Sequence, residues 1–262
     1  MIEVERNGLR YFEFESLRGN GRIQHAIFSR RGGISPTPFT GLNMSLSVRD
    51  DEANVFANRE QAYKLFGRTN ETLVHAFLVH GDNVANVTHK NYGEYVHHVD
   101  GLITNEPGCG LTMNFADCTP IFLYDPVQHA IGLGHAGWKG AIVDLPGAMV
   151  RAMAAAYGSK PADLIAGIGP CIGVGRYEVG DEVITAVHNT FADPDSLLLP
   201  SPNGSNRPHF DLVEANRRNL ARAGVQQIEL SGFCTAERTD LFFSHRAEKG
   251  KTGRFGTIFV LK

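Results

Sequence analysis

Between residues 101 and 134 the chain carries four short apolar runs, at 101–104, 110–115, 120–124 and 130–134, joined by connections too short to hold a helix. Strands joined this tightly pair as hairpins, because a parallel crossover needs a dozen or more residues. Further strands are expected at 23–29, 73–79, 84–87, 164–168, 228–230 and 255–261. Helical periodicity appears over 51–66, where Val55, Arg59, Ala62, Tyr63 and Phe66 share a face and Gly67 stops the helix. A second helix follows residue 138, with Ile142, Leu145, Met149, Ala152 and Met153 inward and Pro146 kinking or restarting it. Segments 180–191 and 211–223 are also helical, with Asp211 placed as an N-cap. Strands outnumber helices, so the fold class is α+β, with mixed β-sheets packed against flanking helices.

The chain has 262 residues, a length that one hydrophobic core can still serve. With 42% apolar and 20% charged residues, a buried core is expected rather than disorder. The polar stretch 193–208 is a long surface loop. Only 54 residues follow it, so a single domain over 1–262 is expected. A formal net charge of −3 argues against a nucleic-acid partner, which selects for a basic surplus. No run of about 18 apolar residues suggests a membrane span. The opening MIEVERNGLRYFEFESL does not read as a secretory leader. Cys109, Cys118, Cys171 and Cys234 form no Cys-x-x-Cys pair. The expectation is a cytoplasmic protein with free thiols, monomeric or a weak homodimer.

Three segments can carry chemistry. Leu78-Val79-His80-Gly81-Asp82 ends a strand on a histidine. Phe115-Ala116-Asp117-Cys118-Thr119-Pro120 sets a cysteine between two strands. Gly134-His135-Ala136-Gly137-Trp138-Lys139-Gly140 places a histidine between a strand and a helix, beside the single tryptophan. Strand ends project to a common rim, where sites are usually assembled. Two histidines and a cysteine are a suitable three-ligand set for Zn²⁺ with one position left open. The spacings, 38 residues from His80 to Cys118 and 17 from Cys118 to His135, match no local zinc motif. Spacing alone therefore leaves a second reading open, with hydrogen-bonded turn histidines and a small buried thiol.

Gly132-Leu133-Gly134-His135-Ala136-Gly137 spells the dinucleotide-binding pattern Gly-x-Gly-x-x-Gly. It lies mid-chain, His135 would crowd the phosphate turn, and the next strand ends in Gly169-Pro170 where an acidic residue should meet the ribose. Its glycines are instead expected to turn the backbone sharply beside a ligand. Arg246, Lys249, Lys251 and Arg254 form a basic cluster, either a solvated loop or an anion site, since guanidinium forks fit phosphate and carboxylate. His97 and His98 are expected to be an exposed loop pair.

Several motifs then fall in a familiar order: Arg31-Gly32-Gly33, Gly41-Leu42-Asn43, His80-Gly81, Asp100-Gly101-Leu102-Ile103-Thr104, Ala116-Asp117-Cys118-Thr119-Pro120, His135-Ala136-Gly137-Trp138-Lys139-Gly140, Gly169-Pro170 with Tyr177-Glu178-Val179, and Asp240-Leu241-Phe242-Phe243-Ser244 with Thr252-Gly253-Arg254. From about residue 28 to the C-terminus the chain resembles the bacterial laccase-domain family, also known as polyphenol oxidase, peptidoglycan-editing factor or zinc-dependent purine nucleoside phosphorylase. The resemblance implies mixed sheets similar to those of cysteine-dependent, hydrolase-like toxin domains. It puts the metal ligands on His80, Cys118 and His135. It implies phosphorolysis of adenosine, inosine or methylthioadenosine, with some adenosine deamination, and small-molecule partners only, a nucleoside and phosphate. Zn²⁺ is the expected cofactor, although two histidines and a cysteine also suit Cu²⁺.

On this reading Cys118, His135, Asp117 and His245 are the catalytic candidates, Asp117 and His245 as proton donors to the purine. Asn43, Arg246 and Arg254 are the substrate-binding candidates. The alternatives are a copper-dependent phenol oxidase, a peptidoglycan-precursor-editing hydrolase with Cys118 as nucleophile and His135 as base, and a non-enzymatic binding module. Two positions depart from the family pattern: Leu78 stands where glutamine is common, and Arg176 where a cysteine often precedes the Tyr-Glu-Val motif.

Overall fold

The computed structural model describes residues 1–19, 21–202 and 204–262; Asn203, inside the 193–208 loop, lies outside the described residues. The chain opens with β1 (Ile2–Arg6), β2 (Leu9–Glu13), β3 (Ile23–Phe28) and helix α1 (Glu52–Lys64). Six short strands follow: β4 (Val74–Phe77), β5 (Val84–Asn86), β6 (Tyr95–His97), β7 (Gly101–Thr104), β8 (Gly110–Thr112) and β9 (Asn114–Phe115). Then come β10 (Thr119–Asp125), β11 (Ala130–Ala136), α2 (Trp138–Ile142), α3 (Leu145–Tyr157) and β12 (Ile165–Ile168). The chain continues through α4 (Asp181–Thr190), β13 (Leu198–Leu199), β14 (His209–Phe210), α5 (Leu212–Arg222), β15 (Gln227–Leu230) and β16 (Phe255–Leu261).

Two mixed sheets dominate. The first runs β1-β2-β3-β16-β8-β4-β6, with β9 also paired to β16; the second runs β15-β12-β10-β11-β7-β5. Of the four tightly joined central runs only β10 and β11 form the expected antiparallel hairpin; the connections from β7 to β8 and from β9 to β10 instead cross between the two sheets, β7 pairing antiparallel with β11 and β8 and β9 with β16. The pairs β4 with β6 and β8, β5 with β7, and β12 with β15 are parallel. Burial follows the period-2 alternation of the strands. On β10, Phe122 and Tyr124 face the core between the sheets, while Ile121 and Leu123 face α3 and α5. On β16, Phe259 and Leu261 face the same inter-sheet core, and Ile258 and Val260 pack with Ala62 and Tyr63 of α1. The layers are therefore α1, first sheet, second sheet, then α3 with α5, the α+β arrangement that the strand pattern implies. Phe122 and Phe259 meet across the two sheets with ring centroids 5.2 Å apart, and each buried ring of this size contributes about 1.5–3 kcal/mol.

Local signals act as expected at several boundaries. Asp51 caps α1, its Oδ1 accepting the Ala53 N–H at 2.9 Å. The helical stretch around Pro146 restarts rather than kinks: α2 ends at Ile142, Asp144 caps α3 through the Gly147 N–H, and Pro146 sits in the first turn, where its missing N–H costs nothing.

Three further expectations need correction. Gly132 and Gly134 do not turn the chain but lie inside β11, where they let α3 approach. A Cβ on Gly134 would stand 2.3 Å from Met149 Sδ, and one on Gly132 would stand 3.2 Å from Met149 Cε. His97 is not in a loop; it closes edge strand β6, pairs with Phe77 and stacks on its ring at 5.4 Å, while His98 follows with φ of 59°. The 73–79 run keeps strand geometry only to Phe77, because the next N–H groups turn toward Asp100. Among the described residues no helix is long and apolar enough to cross a membrane.

Candidate active site and metal centre

The two sheets leave a cavity of about 900 Å³ at one edge of their stack, where the end of β4, the turn before β10, the end of β11 and the start of α2 converge. His80, Cys118 and His135 meet in its wall, with their potential ligand atoms all within 4.8 Å of one another. The His80 and His135 rings are 4.9 Å apart and nearly perpendicular, at 79°. His135 is buried, the others less so. Gly137 makes the cluster possible: a Cβ there would lie 2.8 Å from Cys118 Sγ and 3.6 Å from His80 Cδ2.

Asp100 organises this cluster. It is fully buried and directly precedes β7. Its Oδ1 contacts His135 Nδ1 at 3.0 Å and accepts the His80 N–H at 3.0 Å; its Oδ2 accepts the N–H groups of Val79 at 3.1 Å and Gly81 at 2.7 Å. One carboxylate thus holds the left-handed turn at His80, whose φ is 62°, and orients the His135 ring. With Nδ1 engaged, His135 keeps Nε2 for a metal, the usual arrangement behind a ligating histidine. Burial alone would raise the Asp100 carboxyl, but hydrogen bonds from His135, Gly81 and His80 hold it below its ordinary value.

The thiol follows the same logic. Burial pushes Cys118 up, but the His135 charge and hydrogen bonds from His135 and His80 outweigh it and bring the thiol down to about 6. Burial pushes His135 down, and the Cys118 thiolate together with Asp100 raises it to about 9. The cluster favours thiolate, which is the form that binds metal. Two imidazoles and a thiolate this close fit a tetrahedral ion with an open fourth position.

The remaining sequence candidates divide. His245, Arg246, Arg254 and Asp117 line the same cavity as Cys118. Both Asp117 oxygens are engaged, accepting Thr235 Oγ1–H at 2.6 Å and the Arg246 N–H at 2.7 Å, so this carboxylate clasps the Cys118 turn to the C-terminal loops. Arg246 lies over Tyr177 at 5.1 Å and donates to Glu178 O. Arg254 donates to Thr252 O and Gly253 O. Asn43 does not line the cavity. It is fully buried, donates to Asp50 Oδ2 at 2.8 Å and accepts the Arg254 N–H at 2.9 Å, bracing the loop beneath Arg254. Lys249 and Lys251 lie outside the lining, as does exposed Arg176, whereas Leu78 is part of it. Asp100, Arg59 and Tyr95 belong to the site region without having been candidates. The signal for Asp100 was its place directly before an apolar strand.

The fold and this centre define a laccase-like domain, and the sequence bears that out. A model of the family described as multi-copper polyphenol oxidoreductase laccase matches residues 24–262, and the chain belongs to that family. It is 36% identical over 254 residues to the purine nucleoside phosphorylase YlmD of Bacillus subtilis (strain 168), covering 94% of this chain and 91% of that one. The crystal structure of YlmD from Geobacillus stearothermophilus superposes with a TM-score of 0.90 at 34% identity, over 99% of this chain and 98% of that one. The Bacillus licheniformis hypothetical protein YfiH gives the same TM-score of 0.90 at 34% identity, over 98% of both chains.

Proposed function

We propose that this protein is a metal-dependent purine nucleoside phosphorylase acting on adenosine, inosine or methylthioadenosine, with adenosine deamination as a side activity. The observation that carries the reading is the His80–Cys118–His135 donor cluster inside a cavity that joins aromatic walls to guanidinium groups. In phosphorolysis the N-glycosidic bond breaks, a phosphate oxygen bonds to the ribose C1′, and the purine leaves with its bonding pair and takes up a proton. This demands a flat apolar slot, an anion site and a polarising centre, held in mutual orientation.

Phe77, Trp138 and Tyr177 supply ring faces to the cavity for a purine. Asn114 lines the same cavity and brings an amide suited to a ribose hydroxyl. Arg246 and Arg254 add cationic groups to the cavity lining, and exposed His245 is a lining imidazole suited to passing a proton. His80, Cys118 and His135 would hold the metal, and Zn²⁺ bound there would supply Lewis-acid polarisation of an oxygen. Zinc is favoured over a multi-copper centre because, among the described residues, this is the one group of three donors that converges. The relatives named purine nucleoside phosphorylase support the same reading. A nucleoside turnover screen with and without phosphate, on protein of measured metal content, tests it.

A second reading has its own observation. The depressed Cys118 thiol beside a raised His135 is also the pair that a cysteine hydrolase uses. A thiolate held as a metal ligand is a poor nucleophile, so metal content and alkylation of Cys118 separate the two.

A further inference from the structure

Arg59 is the charged residue on the inward face of α1, and it is 1% exposed. A buried guanidinium ordinarily pairs with a carboxylate, because an uncompensated charge is costly to bury. Arg59 has no such partner among the described residues. Its Nε donates to Met44 O at 2.7 Å, and its Nη1 donates to Asn70 Oδ1 at 2.9 Å and to Tyr95 Oη at 2.5 Å, all neutral acceptors. Among the described residues nothing accepts from its Nη2, and Arg59 lines the same cavity as Cys118.

Two hydroxyls complete the corner. Ser45 Oγ and Ser47 Oγ share one hydrogen bond of 2.8 Å, and both residues line the cavity. One hydrogen bond between two hydroxyls uses one O–H, so the other is free to donate. The wall is held as a unit, because Met44 accepts from Arg59 through its carbonyl and donates its N–H to Arg254 O at 3.0 Å.

A buried positive charge with a spare donor group on a cavity wall suits an anion with several acceptor oxygens. We infer that Arg59, with Ser45 and Ser47, forms the subsite for inorganic phosphate. The inference rests on the phosphorolysis reading and assigns the co-substrate to the α1 wall, leaving Arg246 to the Tyr177 side.

The test uses full-length protein, inorganic phosphate as the probe, and chloride at equal ionic strength as the control. Arg59→Lys keeps the charge but loses the planar fork. It should raise the KM for phosphate about 10- to 100-fold, the loss of one to two charge-assisted hydrogen bonds. The inosine KM at saturating phosphate should stay within about twofold, because uniform binding of the nucleoside is untouched. Ser47→Ala, at an exposed position that does not threaten folding, should raise the phosphate KM about 3- to 10-fold. It decides the matter if Arg59→Lys does not fold. Phosphate should also raise the melting temperature of the wild type and do so less in each variant. Unchanged phosphate KM and thermal response in the folded variants would overturn the Arg59 subsite while leaving phosphorolysis standing. A wild type with neither phosphate-dependent turnover nor a phosphate thermal shift would overturn both.

Discussion

Asp100→Asn is the substitution that most sharply separates a positioning carboxylate from a passive one. The side chain changes by one heavy atom, so packing is preserved. Asp100 accepts the N–H groups of Val79, His80 and Gly81 and contacts His135 Nδ1, two partners on each oxygen. An amide offers one acceptor oxygen. Whichever way it turns, two of the four partners face an NH₂ group and lose their acceptor. Each buried donor left unsatisfied costs about 1–3 kcal/mol, so the variant should lose about 2–6 kcal/mol of folding stability. If the amide keeps the His135 contact, the Val79 and Gly81 N–H groups are orphaned and the His80 turn loosens. If it keeps those two, the His135 ring is released. Both outcomes disturb a metal ligand, and loss of an outer partner of this kind weakens metal affinity about 10- to 100-fold. Urea denaturation of metal-free protein reads the first effect, and competition against a chelator reads the second. Metal affinity within about twofold of wild type in the folded variant would refute the organising role of Asp100, since the expected loss is at least tenfold.

Other outcomes follow from the same geometry. Cys118→Ala and His80→Ala should each abolish turnover through loss of metal with the fold retained, visible as loss of the metal-dependent rise in melting temperature. Gly137→Ala places a Cβ 2.8 Å from Cys118 Sγ, so metal affinity should fall about tenfold or more while circular dichroism is unchanged. Gly41→Ala, with φ of 109° and a Cβ only 1.9 Å from Arg30 O, should cost several kcal/mol and yield little folded protein. Burial holds His25 down to about 4, with its Nε2 accepting the Phe14 N–H at 2.7 Å. Its folded value is below the unfolded one, so neutral His25 stabilises the fold above about pH 6.5. That stability should drain as pH falls toward about 4, by about 3 kcal/mol in all. Urea midpoints across this range should fall less steeply for His25→Gln, whose amide oxygen can still accept the Phe14 N–H.

The layered α+β fold was legible because burial on two faces writes itself into short apolar strands: the 120–124 and 255–261 runs appear in the structure within a residue or two of their expected bounds. Strands with little apolar content were not. The β1–β2 hairpin shows no long apolar run, although its turn, Asn7-Gly8 with φ of 51° and 77°, is the pair that two-residue hairpins favour. Edge strand β6 was hidden for a similar reason, since an edge needs only one partner and carries His97 exposed. Within the site, residue type pointed to His80, Cys118 and His135, because few residues ligate soft or borderline metals. Asp100 and Arg59 were obscured because their roles depend on what lies opposite them. A carboxylate that gathers three backbone N–H groups, and a guanidinium without an acid partner, are properties of tertiary structure. Asn43 shows the converse, a residue within a characteristic motif whose contacts are all internal.

The most direct test incubates protein of known metal content with inosine and follows both products as phosphate is varied. Hypoxanthine and ribose 1-phosphate should appear in equal amounts, only when phosphate is present, with about one metal ion per chain and no alkylation of Cys118 while the metal is held. Metal-free wild type that is active and labelled at Cys118, or hypoxanthine released with free ribose regardless of phosphate, would contradict a metal-dependent phosphorylase.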